Sequence, residues 1–197
     1  MIQSRKDYVY YLESDRRALG RTQPKGFDRV WRLISPDYIW SFQRLLRKLE
    51  YYKNVKNKGM LSKFVYLYCR YKYKNLSLKM GFTIPENVFG PGLSIVHYGT
   101  IVVNRNARIG ANCRIHPDTN IGASGGNSNA PQIGDNVYIA PGVKIYGDIS
   151  VPNNTAIGAN SVLNRTFREE GMMIAGIPAK VVKPISIQKI IKHIIVA

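Results

Sequence analysis

Acidic residues are scarce in this chain, 12 against 29 Lys and Arg, which leaves a net charge of +17. Cysteine is scarcer still. Two thiols, Cys69 and Cys113, cannot make a disulfide framework, and they fit a reducing compartment. No apolar run approaches the roughly 18 residues that a membrane span needs. The opening MIQSRKDYVYYLESD has no apolar stretch long enough for a signal peptide. A cytoplasmic protein is expected, not a secreted or integral membrane one. With 45% hydrophobic and 21% charged residues, the composition also excludes disorder, collagen and coiled coil. No metal is expected.

What the chain does have is unevenly distributed. Residues 1–80 hold 19 of the Lys and Arg, 6 of the acids and ten of the 13 tyrosines. The 197 residues therefore read as two compositions joined near Met80-Gly81. The expected organisation is a basic, aromatic-rich helical region over 1–80, a repeat domain over 81–165, and a C-terminal arm and tail over 166–197.

The repeat has a period of six. Val103, Ile109, Ile115, Ile121, Asn127, Ile133, Ile139, Ile145, Val151, Ile157 and Leu163 follow one another at that spacing, and ten of the eleven are aliphatic. Four residues after most of them stands a small or β-branched residue, such as Ala107, Cys113, Thr119, Val143 or Ser161. A helix would repeat at 3.6 and a simple strand at 2, so a sustained six fits neither. It fits a parallel β-helix whose hexads each form one flat side, with the aliphatic residue inward. An earlier run, Phe89, Ile95 and Ile101, keeps the period but is two residues out of phase. The one miss, Asn127, lies in Gly122-Ala-Ser-Gly-Gly-Asn-Ser-Asn-Ala-Pro-Gln132. That segment keeps the phase but cannot fill a core, so it is expected to bulge as a loop of the kind that carries function.

These residues resemble the hexapeptide-repeat acyltransferase superfamily, in its serine acetyltransferase-like branch. The matching text is GPGLSIVHYGTIVVN (90–104), IGDNVYIAPGVKIYGDI (133–149), IGANSVL (157–163) and AGIPAKVV (175–182). The resemblance implies a left-handed β-helix preceded by helices, a homotrimer with sites between neighbouring β-helices, and acetyl-CoA as co-substrate. It makes His97 the general base, a role that imidazole suits near neutral pH. Gly99 is a weaker candidate for an oxyanion donor. Matching positions assign the coenzyme to Ala140, Gly142 and Ala159, with Gly122 and Ala123 beside the thioester end. Arg165 and Lys180 would meet its phosphates. His116 is expected on a solvated wall, with a place in a subunit groove assisting the chemistry as the alternative, and His193, in the tail ISIQKIIKHIIVA, outside the chemistry.

The resemblance has gaps. The branch pairs its histidine with an aspartate some fifteen residues upstream, where this chain has Phe82. It carries another aspartate just before the histidine, here Val96, and ends its loop Arg-His-Pro, here Asn129-Ala130-Pro131. An amino acid's carboxylate and ammonium call for charged partners. The expectation is therefore an O-acetyltransferase acting on a sugar or polysaccharide-precursor hydroxyl. Serine O-acetylation is one alternative, and a non-catalytic β-helix scaffold or basic binding module another.

In the N-terminal region, 5–19 and 60–79 have helical spacing. Ser35-Pro36-Asp37 reads as a helix start with Ser35 as N-cap before IWSFQRLLRKLEYYKN. Packing is expected through Trp31, Trp40, Leu45, Leu46, Leu49 and Tyr52. The stretch 63–74 interleaves cations with aromatics. A solvated basic face is the expected reading. An anionic membrane surface is a candidate partner, which would make the protein peripheral to the inner face of the membrane, and the lack of a recognised fold argues against nucleic acid.

Overall fold

A computed structural model describes residues 1–22, 34–56 and 59–194. Among the described residues, helices α1 (Arg5–Ala18), α2 (Tyr38–Asn54) and α3 (Met60–Met80) precede fourteen short strands. Helix α1 starts at Ser4, whose Oγ accepts the Asp7 N–H at 3.0 Å, while the Asp7 carboxylate accepts the Gln3 N–H at 2.9 Å. Helix α2 starts later than its sequence suggested. Asp37, not Ser35, is the N-cap, and its carboxylate accepts the Trp40 N–H at 3.1 Å. Trp31 lies outside the described residues. Helix α3 stops at Gly81, whose φ of 75° is the left-handed geometry that a terminating glycine supplies.

From Phe82 the chain winds as a left-handed β-helix. Three parallel faces stack coil on coil. Face A contains β1 (Phe82–Thr83), β3 (Ile101–Val103), β6 (Thr119–Gly122), β9 (Lys144–Tyr146) and β12 (Val162–Leu163). Face B contains β4 (Arg108–Ile109), β7 (Gln132–Ile133) and β10 (Ser150–Val151). Face C runs through β2 (Ser94–Ile95), β5 (Arg114–Ile115), β8 (Tyr138–Ile139), β11 (Ala156–Ile157) and β13 (Met172–Gly176). An antiparallel strand, β14 (Ala179–Pro184), closes face C.

All ten aliphatic residues of the period-six series are buried, as are their small partners Ala107, Cys113, Thr119, Val137, Val143, Ile149, Thr155 and Ser161. Each side of a coil therefore drops two side chains into a narrow interior. Asparagines make the corners between faces B and C. Asn112, Asn136 and Asn154 all have φ near +56°, and each amide donates to the next, Asn112 to Asn136 and Asn136 to Asn154, at 2.9 Å. Glycine is required beside this ladder: a Cβ on Gly90 would lie 2.7 Å from the Gly110 backbone.

The open end of the β-helix is closed by the helices, and the closure is polar. Helix residues Asp15, Gln43, Arg47 and Glu50 are fully buried against the first coil. Asp15 accepts the N–H groups of Gly92 and Leu93, both at 2.9 Å. Gln43 donates to the Leu93 carbonyl at 2.7 Å and accepts from Ile95 N–H. Arg47 donates to the carbonyls of Phe89 and Gly90, and Glu50 accepts the Asn87 N–H. Among themselves, Arg47 meets Asp15 at 2.8 Å and Glu50 at 3.0 Å. A bare sheet edge offers unpaired main-chain groups to any passing strand. Here four side chains satisfy them. Leu46 and Leu49 pack below as expected, with Phe42 and Ile39, while Trp40, Leu45 and Tyr52 are only half-buried.

The C-terminal arm folds back. Ile187 and Ile191 are buried against Ala156, and with Ile185, Ile190 and Ile194 they cover the outer surface of face C around Tyr138. No helix of the described residues is long and apolar enough to cross a membrane.

Candidate active site

His97 owes its position to an insertion. In three successive coils the core aliphatic residue of face C and the next buried residue of face A are four apart: Ile115 to Thr119, Ile139 to Val143, Ile157 to Ser161. In the first coil, Ile95 to Ile101 is six, and Ile101 pairs with Thr119. The corner between β2 and β3 thus holds two extra residues, which explains the phase slip in the sequence. Their effect is to push His97 and Tyr98 out of the wall, where both are exposed. The corner is pinned behind them, because the Gly99 N–H donates to the Met80 carbonyl at the end of α3, at 3.2 Å. Gly99 is therefore not free as an oxyanion donor.

The other residues singled out from the sequence fall into three groups. Along the edge between faces C and A, above His97, come His116, then Ala140 and Gly142, then Ala159, each group one coil further on. At a strand spacing of about 4.8 Å, the line from His97 to Ala159 is about 14 Å long. Beyond its far end stands Lys180, opposite Ala175; Arg165 follows β12 at the same edge of face A as Ala123, and its guanidinium reaches across to donate to the Ala179 carbonyl at 3.2 Å. Gly142 has φ 78°, and a Cβ there would collide with Asn160, so the edge stays low at this point. A flat groove lined by small residues, with cations at one end, fits a long amide-bearing arm that ends in phosphates. Gly122 and Ala123 lie away from that line. They open the loop at the end of β6, on the opposite edge of face A from His97.

That loop stays at its own edge. Ser124 through Asn129 are exposed, and the register across it, Ile109 to Ile133, is 24 residues in place of the usual 18. One whole hexad has been extruded. Asn106 donates to the Ser128 carbonyl and Asn129 to Asp148, both at 2.7 Å, so Asn129 anchors the loop to the neighbouring coil. Ala130 is buried, and so is Phe82, which stacks edge-on against Phe42 at 5.0 Å. An aspartate at 82 would lie in the apolar seam between α2 and β1. Among the described residues no carboxylate pairs with His97.

His116 is closer to the chemistry than a solvated wall residue would be. Its ring lies 6.1 Å from that of His97 and 5.2 Å from that of Tyr138. Its Nε2 is buried without a partner among the described residues. Burial, with the charges of Arg114 and His97, holds its pKa down at about 4. It is neutral near pH 7. Sequence spacing could place His116 one coil from His97, but not reveal that the ring turns toward it.

A family model, bacterial transferase hexapeptide (six repeats), matches residues 130–165. The fold is a left-handed β-helix, and its repeat is similar to that of the hexapeptide-repeat acyltransferases. Among those, the similarity is to serine acetyltransferases. The enzyme of that name from Staphylococcus xylosus is 37% identical over 101 residues, half of this chain and 46% of its own length. That from Staphylococcus aureus (strain N315) is 36% identical over the same length and half of this chain, and 47% of its own. The chain thus spans about half the length of the curated relatives it matches. Among solved structures, a serine acetyltransferase in complex with cysteine superposes over 92% of this chain and 68% of its own, with a TM-score of 0.69 and 25% identity. Another, in complex with CoA, covers 91% and 72%, with a TM-score of 0.65 and 26% identity. These relatives favour the serine alternative over the sugar acceptor expected from the missing charges.

Proposed function

We propose that the protein is an acetyl-CoA-dependent O-acetyltransferase of serine acetyltransferase type, with His97 as its general base. The observation that carries this is the corner insertion. It projects one imidazole at the head of an edge that continues through Ala140, Gly142 and Ala159 to Lys180, with the Arg165 guanidinium reaching toward that end from the opposite edge of face A. When bound there, acetyl-CoA supplies the activated acetyl group. A ring nitrogen of His97 takes the proton of the acceptor hydroxyl as its oxygen attacks the thioester carbonyl. The same nitrogen then returns the proton to the departing thiolate, so that the acetyl ester and free CoA leave with the imidazole neutral. Small residues along the edge let the arm lie against main chain, and the two cations meet its phosphates. The corner Val96–Thr100 aligns the acceptor with the donor, which turns the encounter into an effectively unimolecular step.

A homotrimer would complete the site. One chain leaves His97 exposed and keeps Gly122 and Ala123 on the opposite edge of face A. A neighbouring copy that set its loop edge against this His97 edge would bring both together. The relatives support serine as the acceptor. A second reading, a neutral polyhydroxyl acceptor, rests on Val96, Asn129 and Ala130, which leave no charge for an amino acid's ends.

The test is release of free thiol from acetyl-CoA by the purified chain, with L-serine and then a sugar panel, alongside its mass by light scattering. Serine-dependent release that falls roughly 10²–10⁴-fold in His97→Ala is expected. Release with a sugar alone would select the second reading. No release with any acceptor would leave a β-helix scaffold or binding module. A mass near the 22.3 kDa of one chain would remove the shared site.

A further inference from the structure

Helix α3 is apolar on two opposite faces, and only one of them has a partner. Cys69, Tyr73 and Met80 are buried on the side that packs against α2 and β1. At about 100° per residue, the opposite side gathers Met60, Phe64, Leu67, Tyr71 and Leu78 into an arc of about 60°. These five are 57 to 82% exposed, and nothing among the described residues covers them. Leu61 and Tyr68, also exposed, widen the stripe on one side.

Charge frames the stripe. Lys63, Arg70 and Lys74 run along one flank, and Lys72 and Lys79 along the other, all exposed. No Asp or Glu occurs anywhere in 60–80. The Lys72 ammonium lies 4.9 Å from the Tyr68 ring, so cation and aromatic sit at one depth. Isolated exposed apolar residues need no explanation, but a continuous rimmed row does.

We propose that this stripe of α3 lies on an anionic lipid bilayer, apolar row inserted among the acyl chains and flanking cations at the phosphates. The charge decides between occupants. Two copies of α3 pairing through their stripes would set five cations against five, with no acid on the helix to relieve them. A bilayer rich in anionic lipid offers apolar depth along the row and negative charge along both rims. Aromatic residues with a polar tip suit that boundary, and long cationic stems reach from the helix to the headgroups. This accounts for a feature that acetyl transfer does not use, and it is tested without any turnover.

The experiment is flotation of the full chain with vesicles of phosphatidylcholine, alone or mixed equally with phosphatidylglycerol. Retention on the mixed vesicles only, weakening as sodium chloride is raised, is expected. A Phe64→Ser/Leu67→Ser variant should lose at least tenfold in partitioning. Lys63→Ser and Lys74→Ser should each lose roughly fivefold. All four side chains are exposed, so thermal melting by circular dichroism should match that of the unaltered chain. Equal flotation of the Phe64→Ser/Leu67→Ser variant, or equal retention on pure phosphatidylcholine, would overturn the proposal. So would a solution mass that the same variant halves, which would assign the stripe to a second copy. Capture by single-stranded RNA that the variant loses would overturn it in favour of nucleic acid.

Discussion

Asp15→Ala probes the polar closure between helices and β-helix. The Asp15 carboxylate is fully buried and meets four donors. Arg47 Nε reaches Oδ2 at 2.8 Å, and Arg47 Nη2 reaches Oδ1 at 3.2 Å. The N–H groups of Gly92 and Leu93 reach Oδ1 at 2.9 Å each. Alanine would strand two main-chain donors, at about 1–3 kcal/mol apiece. It would also strip a buried guanidinium of its two-point partner, and breaking such a pair costs about 3–5 kcal/mol. These losses overlap, because Glu50 and two carbonyls still hold Arg47, so the sum is an upper bound. A net loss of about 4–6 kcal/mol is expected, against a total of about 5–15 for a domain. For a chain of this size that lowers Tm by roughly 10–20 °C. Thermal melting by circular dichroism measures it, with Glu13→Ala as control, since Glu13 pairs only with arginines at the surface. Asp15→Ala/Arg47→Met should be destabilised by less than the two single changes added, because the unpaired cation is gone. A Tm drop under about 3 °C, or full additivity, would refute the idea that this network holds the helices on.

His116, held down at about pKa 4, stays neutral in the folded chain while the unfolded chain takes its proton near 6.5. Stability should be flat above about pH 6.5 and decline as pH falls toward 4, the window between the two values. His193, also lowered by burial, adds to the same trend. Urea midpoints across that range should show a shallower decline for His116→Gln, and identical slopes would refute the assignment. Asn136→Ala should destabilise by roughly 1–3 kcal/mol, since it breaks two ladder bonds and puts a Cβ-bearing residue without a local hydrogen bond at φ 57°. Asn136→Gly keeps the backbone free and should lose less. Chemical denaturation that ranks the two equally would remove the ladder from the explanation.

Much of the β-helix could be read from the chain because its rules are local. A hexad makes one side, its aliphatic residue falls inward, and its asparagine or glycine makes the corner, so Ile109, Ile115 and Ile121 announce themselves by spacing. The same locality exposed the loop at Asn127, since one lost hexad keeps the count, and an irregular stretch near Ile95 and Ile101; the resemblance, not the count, singled out His97 within it. Ser35 and Asp37 show its limit: each can cap a helix two residues apart, and the geometry of the turn chose Asp37.

What only the tertiary structure decided involves residues distant in sequence. Arg47 is one of 19 cations before residue 80, and nothing around it distinguishes it from a solvated lysine. Its partners, Asp15, Phe89 and Gly90, are 32 to 43 residues away. The bareness of the first coil, which makes those partners necessary, exists only once the coil has formed. Gly122 and Ala123 come within one coil of His97 by count, yet a face has two edges, and the direction of β6 carries them to the far one. Which rim a charge, a turn or a ring ends on depends on which surfaces have already excluded water. A period of six repeats without recording that.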